Sequence, residues 1–121
     1  MKRDNFNHLV QEALGQVPLE FRPYLENVEV VLEDWAPLSL LEEMGVPEDE
    51  DLYGLYQGTP LTERPHDHAQ LPDRIILYQG PLEEDFPDPE ELRSEIVITV
   101  LHELAHHFGI GEERLEELGL G

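Results

Sequence analysis

The stretch VITVLHELAHHFGIGE, residues 97–112, decides what fold and chemistry this chain should have. It contains the pattern His-Glu-x-x-His at His102, Glu103 and His106. Residues four apart on a helix lie one above the other on one face, so His102 and His106 can present two imidazoles to one cation. Glu103 projects beside the pair, where its carboxylate can act as general base towards a metal-bound water without ligating the metal. The pattern predicts a metal site on a helix.

The residues before the motif indicate a long helix that begins near Asp88. Asp88 suits the N-cap, Pro89 the first helical position and Glu91 the third. Apolar residues then recur at helical spacing, which predicts a helix of about 20 residues, roughly 30 Å long. The motif histidines should face away from the core. One arc would hold Glu95, Thr99, His102, Glu103 and His106, and the opposite arc Val97, Ile98, Val100, Leu101, Leu104, Ala105 and Phe108.

Gly109 and Glu112 extend the motif to His-Glu-x-x-His-x-x-Gly-x-x-Glu. Glycine enters the left-handed region without steric cost, so Gly109 predicts the end of the helix and a sharp turn of the chain. After that turn, Glu112 could return as a third ligand and leave a fourth position open for water. Glu113 is also acidic, so a swap between the two glutamates stays open. The extended pattern is much more specific than the two histidines alone.

On these residues the chain resembles the zincin metallopeptidases, and among them the short bacterial zincin-like proteins called mini-zincins. HELAHHFGIGEE fits their motif, and the resemblance extends over residues 52–121, including LYGLYQGTPLTER and LPDRIILYQGP. It implies that His102 and His106 ligate zinc, with Glu112 as the third ligand. Related zincins have Asp or His at this last position. It also implies that Glu103 is the catalytic carboxylate, which activates a zinc-bound water to hydrolyse peptide bonds in a peptide or protein substrate.

The other segments predict an α+β, zincin-like fold with a small twisted mixed sheet of three or four strands, a backing helix and the long active-site helix. The backing helix should pack against the sheet. The first strand is expected inside the sheet, and the second is the candidate for the edge strand that, by the resemblance, lines the substrate cleft. Strands are predicted at residues 28–33, 52–58 and 74–79, and helices at residues 4–15, 38–44 and 113–118.

Composition and charge narrow the functional class. A chain of 121 residues with 40% hydrophobic content predicts a single domain over residues 1–121. Twenty-eight acidic and seven basic residues give a net charge of -21, which opposes binding to nucleic acid or anionic membranes and favours a cationic partner. Without cysteine, a zinc site must use histidine and carboxylate. No apolar run is long enough for a membrane span or signal peptide, so we expect a cytoplasmic protein.

The segment Thr59–Pro72 predicts a long loop, which could act as a lid over the cleft. It contains His66 and His68, a possible second metal site. Most zincins use a tyrosine or histidine to stabilise the oxyanion, and the sequence offers His66, His68, Tyr53 and Tyr56 for that role without selecting one.

Three functions remain open. The first is a zinc metallopeptidase. The second is a non-catalytic metal-binding or regulatory protein of zincin ancestry, suggested by the small size and by the lack of a methionine after the motif, since the only methionines are Met1 and Met44. The third is an ordinary packed helix with hydrogen-bonded histidines, which the added Gly109 and Glu112 make the weakest interpretation.

Overall fold

A computed structural model describes residues 1–58, 72–110 and 112–120. The predicted lid, with His66 and His68, lies outside these residues except for Pro72. The α+β class predicted from the sequence is confirmed. The elements are the helices α1 (Arg3–Gly15), α2 (Leu38–Glu43), α3 (Gln79–Asp85), α4 (Pro89–Phe108) and α5 (Glu112–Glu117), a 3₁₀ helix (Leu19–Leu25), and the strands β1 (Val28–Glu33), β2 (Gly54–Gln57) and β3 (Asp73–Tyr78).

The three described strands form one mixed sheet in the order β1-β3-β2. Strand β1 runs parallel to β3, and β2 runs antiparallel to it, with Tyr56 opposite Ile75. The expectation that residues 28–33 form an inner strand was wrong. β1 exposes Glu29 and Glu33, whereas the last four residues of β3 are all buried, so β3 takes the central place. β2 is an edge strand of this sheet, as predicted.

Strand β3 supplies side chains to hydrophobic cores on both faces of the sheet. Ile75 and Leu77 join the main core, whereas Ile76 and Tyr78 pack on the other face with Leu41 of α2. Helix α1 packs against α4, and its buried side chains share the main core with Ile75 and Leu77 of β3. Among the described helices, α4 has the most buried residues, and it contacts both the sheet and α1. The α4 side chains that are at most 1% exposed are Leu92, Ile96, Val100, Leu101 and Leu104.

Helix α4 begins and ends as the sequence predicted. The Asp88 carboxylate accepts a hydrogen bond of 3.1 Å from the Glu91 amide, and Pro89 occupies the first turn. Gly109 ends the helix in the left-handed region with φ of 64°. Within the described residues, no helix has both the length and the apolar character to cross a membrane.

Two α4 residues depart from the predicted arcs because of their tertiary neighbours. Phe108, assigned to the core arc, is 40% exposed and meets the rings of Tyr24 and Tyr56 at the end of the helix. Thr99, assigned to the polar arc, is buried because β2 lies directly on it at Gly54. A Cβ atom at Gly54 would stand 2.8 Å from Thr99 Cγ2, so only glycine permits this approach. The contact brings the edge strand onto the motif helix.

We predict that Gly54→Ala lowers the free energy of unfolding by about 1–3 kcal/mol, because the added methyl must displace Thr99 or the neighbouring strand. Urea denaturation measures the change. Gly15→Ala is the control, since no atom lies within 4 Å of a Cβ there. Adding Thr99→Ser, which removes Cγ2, should restore part of the loss. Wild-type stability in the Gly54 variant would contradict the close packing of β2 on α4.

Candidate active site

The two motif histidines lie on the same side of α4, where His106 is exposed and His102 is half-buried. Their ring centroids are 6.5 Å apart with an interplanar angle of 53°. The His106 side chain is 66% exposed, so solvent reaches it freely. Together with α5, the histidines border a pocket of about 140 Å³ between the two helices. Its lining residues are His102, Ala105, His106, Glu112, Leu115 and Glu116.

The turn at Gly109 delivers Glu112 to this pocket. The Ile110 amide donates to the Ala105 carbonyl at 3.1 Å, which closes the turn and reverses the chain into α5. Glu112 Oε1 then lies 3.9 Å from His106 Nε2. Glu113 does not line this pocket, although it borders a neighbouring groove together with His106 and Glu112. The structure therefore brings Glu112, not Glu113, beside the histidines, while its role as a ligand stays a prediction.

Two contacts anchor α5 in this position. Leu115 is 2% exposed and belongs to the main core. Arg114 Nε donates to both carboxylate oxygens of Glu20 on the 3₁₀ helix, at 3.1 and 3.0 Å. This hydrogen bond, against an opposing effect of burial and with the help of the Arg114 charge, holds the pKa of Glu20 below its usual value. A helix of only six residues is thus held in place both by the core and by an ion pair to a distant segment.

Glu103 connects the motif helix to the edge strand. Its side chain is 19% exposed, and its Oε1 accepts a hydrogen bond of 2.8 Å from the Tyr56 amide of β2. Its Oε2 lies 3.9 Å from His106 Nδ1. The His106 ring therefore stands between two carboxylates, with Nδ1 towards Glu103 and Nε2 towards Glu112. The two carboxylates therefore favour the ring orientation in which Nε2 of His106 is directed at the pocket.

The donor types fit zinc, but their spacing is wider than a shared ion requires. Tetrahedral zinc with bonds of about 2.1 Å separates neighbouring donor atoms by about 3.4 Å, and two rings on one ion have centroids about 5 Å apart. The His106–Glu112 separation of 3.9 Å is close to this value, whereas the 6.5 Å between the rings of His102 and His106 is not. Over residues 1–58, 72–110 and 112–120, no three histidine or carboxylate side chains form a group that could hold a metal ion. The mismatch lies at His102.

His102 has a partner that the sequence analysis missed. Its Nε2 lies 3.3 Å from the carbonyl oxygen of Leu120. A second left-handed glycine, Gly119 with φ of 74°, turns the chain back after α5 and places Leu120 there. The signal was present in the sequence, because a glycine after a short amphipathic helix is a common C-terminal cap. The sequence could not reveal that the chain after this turn contacts His102.

Both described tyrosines suggested for the oxyanion role have their hydroxyls engaged elsewhere. The Tyr53 hydroxyl donates to Asp85, and this hydrogen bond, together with burial and the charges of Asp85 and Glu95, raises the pKa of Tyr53 to about 12. The Tyr56 hydroxyl donates to Asp73 at 2.7 Å, and its ring stacks on His107 with centroids 3.9 Å apart. Neither hydroxyl is directed at the motif histidines in this arrangement.

Comparison with known proteins decides the family. The model of the family described as zincin-like metallopeptidase matches residues 25–121 of the 121-residue chain. The chain belongs to the zincin-like metallopeptidase family. This confirms the resemblance seen in the motif and extends it to β1, so that the whole described sheet of the zincin-like domain is included.

A solved structure shares the fold. It is described as a conserved hypothetical protein from Thermo thermophilus, with 26% sequence identity and a TM-score of 0.56. The similarity covers 89% of the zincin-like chain and 94% of the other protein. No curated protein matches the sequence. The comparisons thus establish the family and fold, and the roles of the individual motif residues remain predictions.

We predict that Glu112→Ala weakens zinc binding by more than about 100-fold, whereas Glu113→Ala changes it less than about threefold, because only Glu112 faces His106 Nε2. Competition with a chromophoric chelator measures both affinities. The two variants remove the same charge from the same turn, so each controls for the other. Loss of zinc from the Glu113 variant alone would show that the third ligand is misassigned.

We further predict that Gly109→Val weakens zinc binding at least about tenfold without removing a donor, because a β-branched residue resists φ of 64° and opens the turn that carries Glu112. Gly45→Val is the matched control. Gly45 has φ of 72°, ends α2 in the same way and has no atom within 4 Å of a Cβ, but is not part of the site. Equal zinc affinities in the two variants would show that the Gly109 turn is not needed.

Proposed function

We propose that this chain is a zinc-dependent metallopeptidase that hydrolyses peptide bonds at the pocket between α4 and α5. The observation that carries the proposal is the position of Glu103, between His106 of the pocket and the edge strand β2. Membership of the zincin-like metallopeptidase family supports it. His102, His106 and Glu112 would hold the zinc ion. The reaction would take place in the cytoplasm, an expectation that rests on the sequence alone.

Glu103 has the geometry of a proton carrier. When bound, zinc supplies a Lewis acid that polarises a carbonyl and lowers the pKa of water to about 7. The hydrogen bond from the Tyr56 amide holds Oε1 of Glu103 and leaves Oε2 on the side of His106. Oε2 would accept the proton from the attacking water and deliver it to the leaving amine nitrogen. The peptide C–N bond breaks after the new C–O bond has formed, and Glu103 returns to its carboxylate form.

The substrate in this proposal is an extended peptide that lies along β2. Peptides add to exposed sheet edges through backbone hydrogen bonds, with little demand on side-chain identity. A peptide on β2 would lie beside Glu103, because Glu103 accepts a hydrogen bond from the Tyr56 amide, and it would bond to backbone groups of β2 other than that amide. The surface charge favours cationic substrates. Near the start of α4, an open groove is lined by Asp88, Glu90, Glu91 and Glu95.

One observation favours the second function, a metal-binding or regulatory protein without turnover. The described donors do not converge as they stand, since the ring of His102 is turned to Leu120 rather than to His106 and Glu112. A protein in which this arrangement persisted would bind metal weakly. Without a bound ion, it would have no site at which to hydrolyse a peptide. The two functions differ in whether Glu103 is needed for a reaction.

We predict that Glu103→Gln reduces kcat/KM for peptide hydrolysis by about 10²–10⁴, while zinc affinity changes less than about threefold. Glutamine preserves the acceptor for the Tyr56 amide but is a far weaker base than the carboxylate. Turnover of unstructured, lysine-rich peptides and zinc binding by chelator competition are measured together. Glu42→Gln is the control, since it removes the same charge from an exposed position on a different helix, α2.

Three results decide among the functions. Turnover that survives in the Glu103→Gln variant would show that another group is the base. A wild-type protein that binds zinc but cleaves no peptide would support the second function. A zinc stoichiometry that is unchanged by His102→Ala would overturn the metal site itself.

A further inference from the structure

We infer that residues 118–120, here called the return segment, form a displaceable cap that competes with zinc for His102. The inference deepens the proposed function, on which it rests, by assigning an intramolecular control to the same site. It is carried by the contact between the Leu120 carbonyl and His102 Nε2 at 3.3 Å. No other described contact of the motif histidines is with a backbone carbonyl.

The return segment is placed by a well-formed turn. The amides of Leu118, Gly119 and Leu120 donate to the carbonyls of the preceding helix at 3.1, 3.0 and 2.8 Å. Gly119 adopts φ of 74°, which closes the six-residue bond from Leu120 to Leu115. The Leu120 side chain is partly buried against the main core. The carbonyl that meets His102 is therefore held in place by backbone hydrogen bonds and by packing.

A hydrogen bond to this carbonyl and coordination of zinc exclude each other at Nε2 of His102. A carbonyl oxygen only accepts, so Nε2 must carry the hydrogen atom in the contact with Leu120. A metal ion needs the lone pair of the same nitrogen, which is available only when that hydrogen is absent. In the proposed site we take Nε2 as the zinc donor of His102, the same ring nitrogen that His106 presents to Glu112. Nε2 of His102 can therefore bind either the Leu120 carbonyl, through its hydrogen atom, or zinc, through its lone pair, but not both.

The cap accounts for the incomplete donor set. With its Nε2 on Leu120, the His102 ring stays 6.5 Å from His106, which is too far for a shared ion. Metal binding would require the return segment to release His102 first. The apparent affinity is then the intrinsic affinity multiplied by the fraction of protein in which the segment is released. A contact of 3.3 Å is at the long end for an N–H···O bond. We therefore expect the cap to reduce zinc affinity only about three- to tenfold.

The test opens the turn without touching a donor. Gly119→Val should disfavour φ of 74° and release the return segment, while no atom lies within 4 Å of the new Cβ. Gly45→Val is the matched control, because Gly45 has φ of 72° and the same six-residue bond, from Val46 to Leu41, far from the site. Zinc dissociation constants of both variants and the wild type are measured by chelator competition. The expected result is about three- to tenfold tighter binding in the Gly119 variant alone.

A second variant and a second readout guard against a fold effect. A chain that ends after Leu118 removes the rest of the return segment and should bind zinc at least as tightly as Gly119→Val. In the metal-free wild type, histidine side-chain ¹⁵N spectra should show His102 with its hydrogen on Nε2. Both released variants should lose this tautomer preference, and Gly45→Val should keep it.

The outcomes separate this inference from the proposed function. Equal zinc affinities in all chains would overturn the cap and leave the metal site intact. Weaker binding after release would also overturn it, because the return segment would then orient His102 for the metal instead of competing. Absence of zinc binding in every chain would overturn both the cap and the proposed function.

Discussion

The hydrogen bond between the Tyr56 amide and Glu103 is the contact on which the arrangement of the site depends. An edge strand leaves amides without a sheet partner, and a partly buried carboxylate needs donors to compensate for lost hydration. The contact satisfies both needs at once. It forms only because Gly54 lets β2 lie against Thr99 of α4, so a single absent side chain allows the strand to reach the motif helix.

The two motif histidines are in different states although they belong to one helix face. His106 is exposed and stands between the carboxylates of Glu103 and Glu112, with one ring nitrogen towards each. His102 is turned to the carbonyl of Leu120. Both environments are produced by left-handed glycines, Gly109 before α5 and Gly119 after it, since each reverses the chain towards α4. The short helix α5 between these two turns therefore brings Glu112 beside His106 and leads to the segment that contacts His102.

The prediction from sequence succeeded where structure follows from neighbours along the chain. The N-cap at Asp88, the length of α4 and the turn at Gly109 all depend on contacts within a few residues. It failed where distant segments compete for the same place. β1 was expected inside the sheet, but the more deeply buried β3 occupies the centre. Thr99 was expected on a polar face, which β2 in fact covers.

The sequence by itself determined the family, the motif helix and the candidate zinc ligands, because helical spacing alone places His102 and His106 on one face. Only the tertiary structure decided which glutamate stands beside His106, what holds Glu103 and what His102 meets in place of its expected partners. These contacts join residues 18 and 47 positions apart in the cases of Leu120–His102 and Tyr56–Glu103. Contacts between residues so far apart in the sequence depend on how whole helices and strands pack, and no local sequence pattern encodes them.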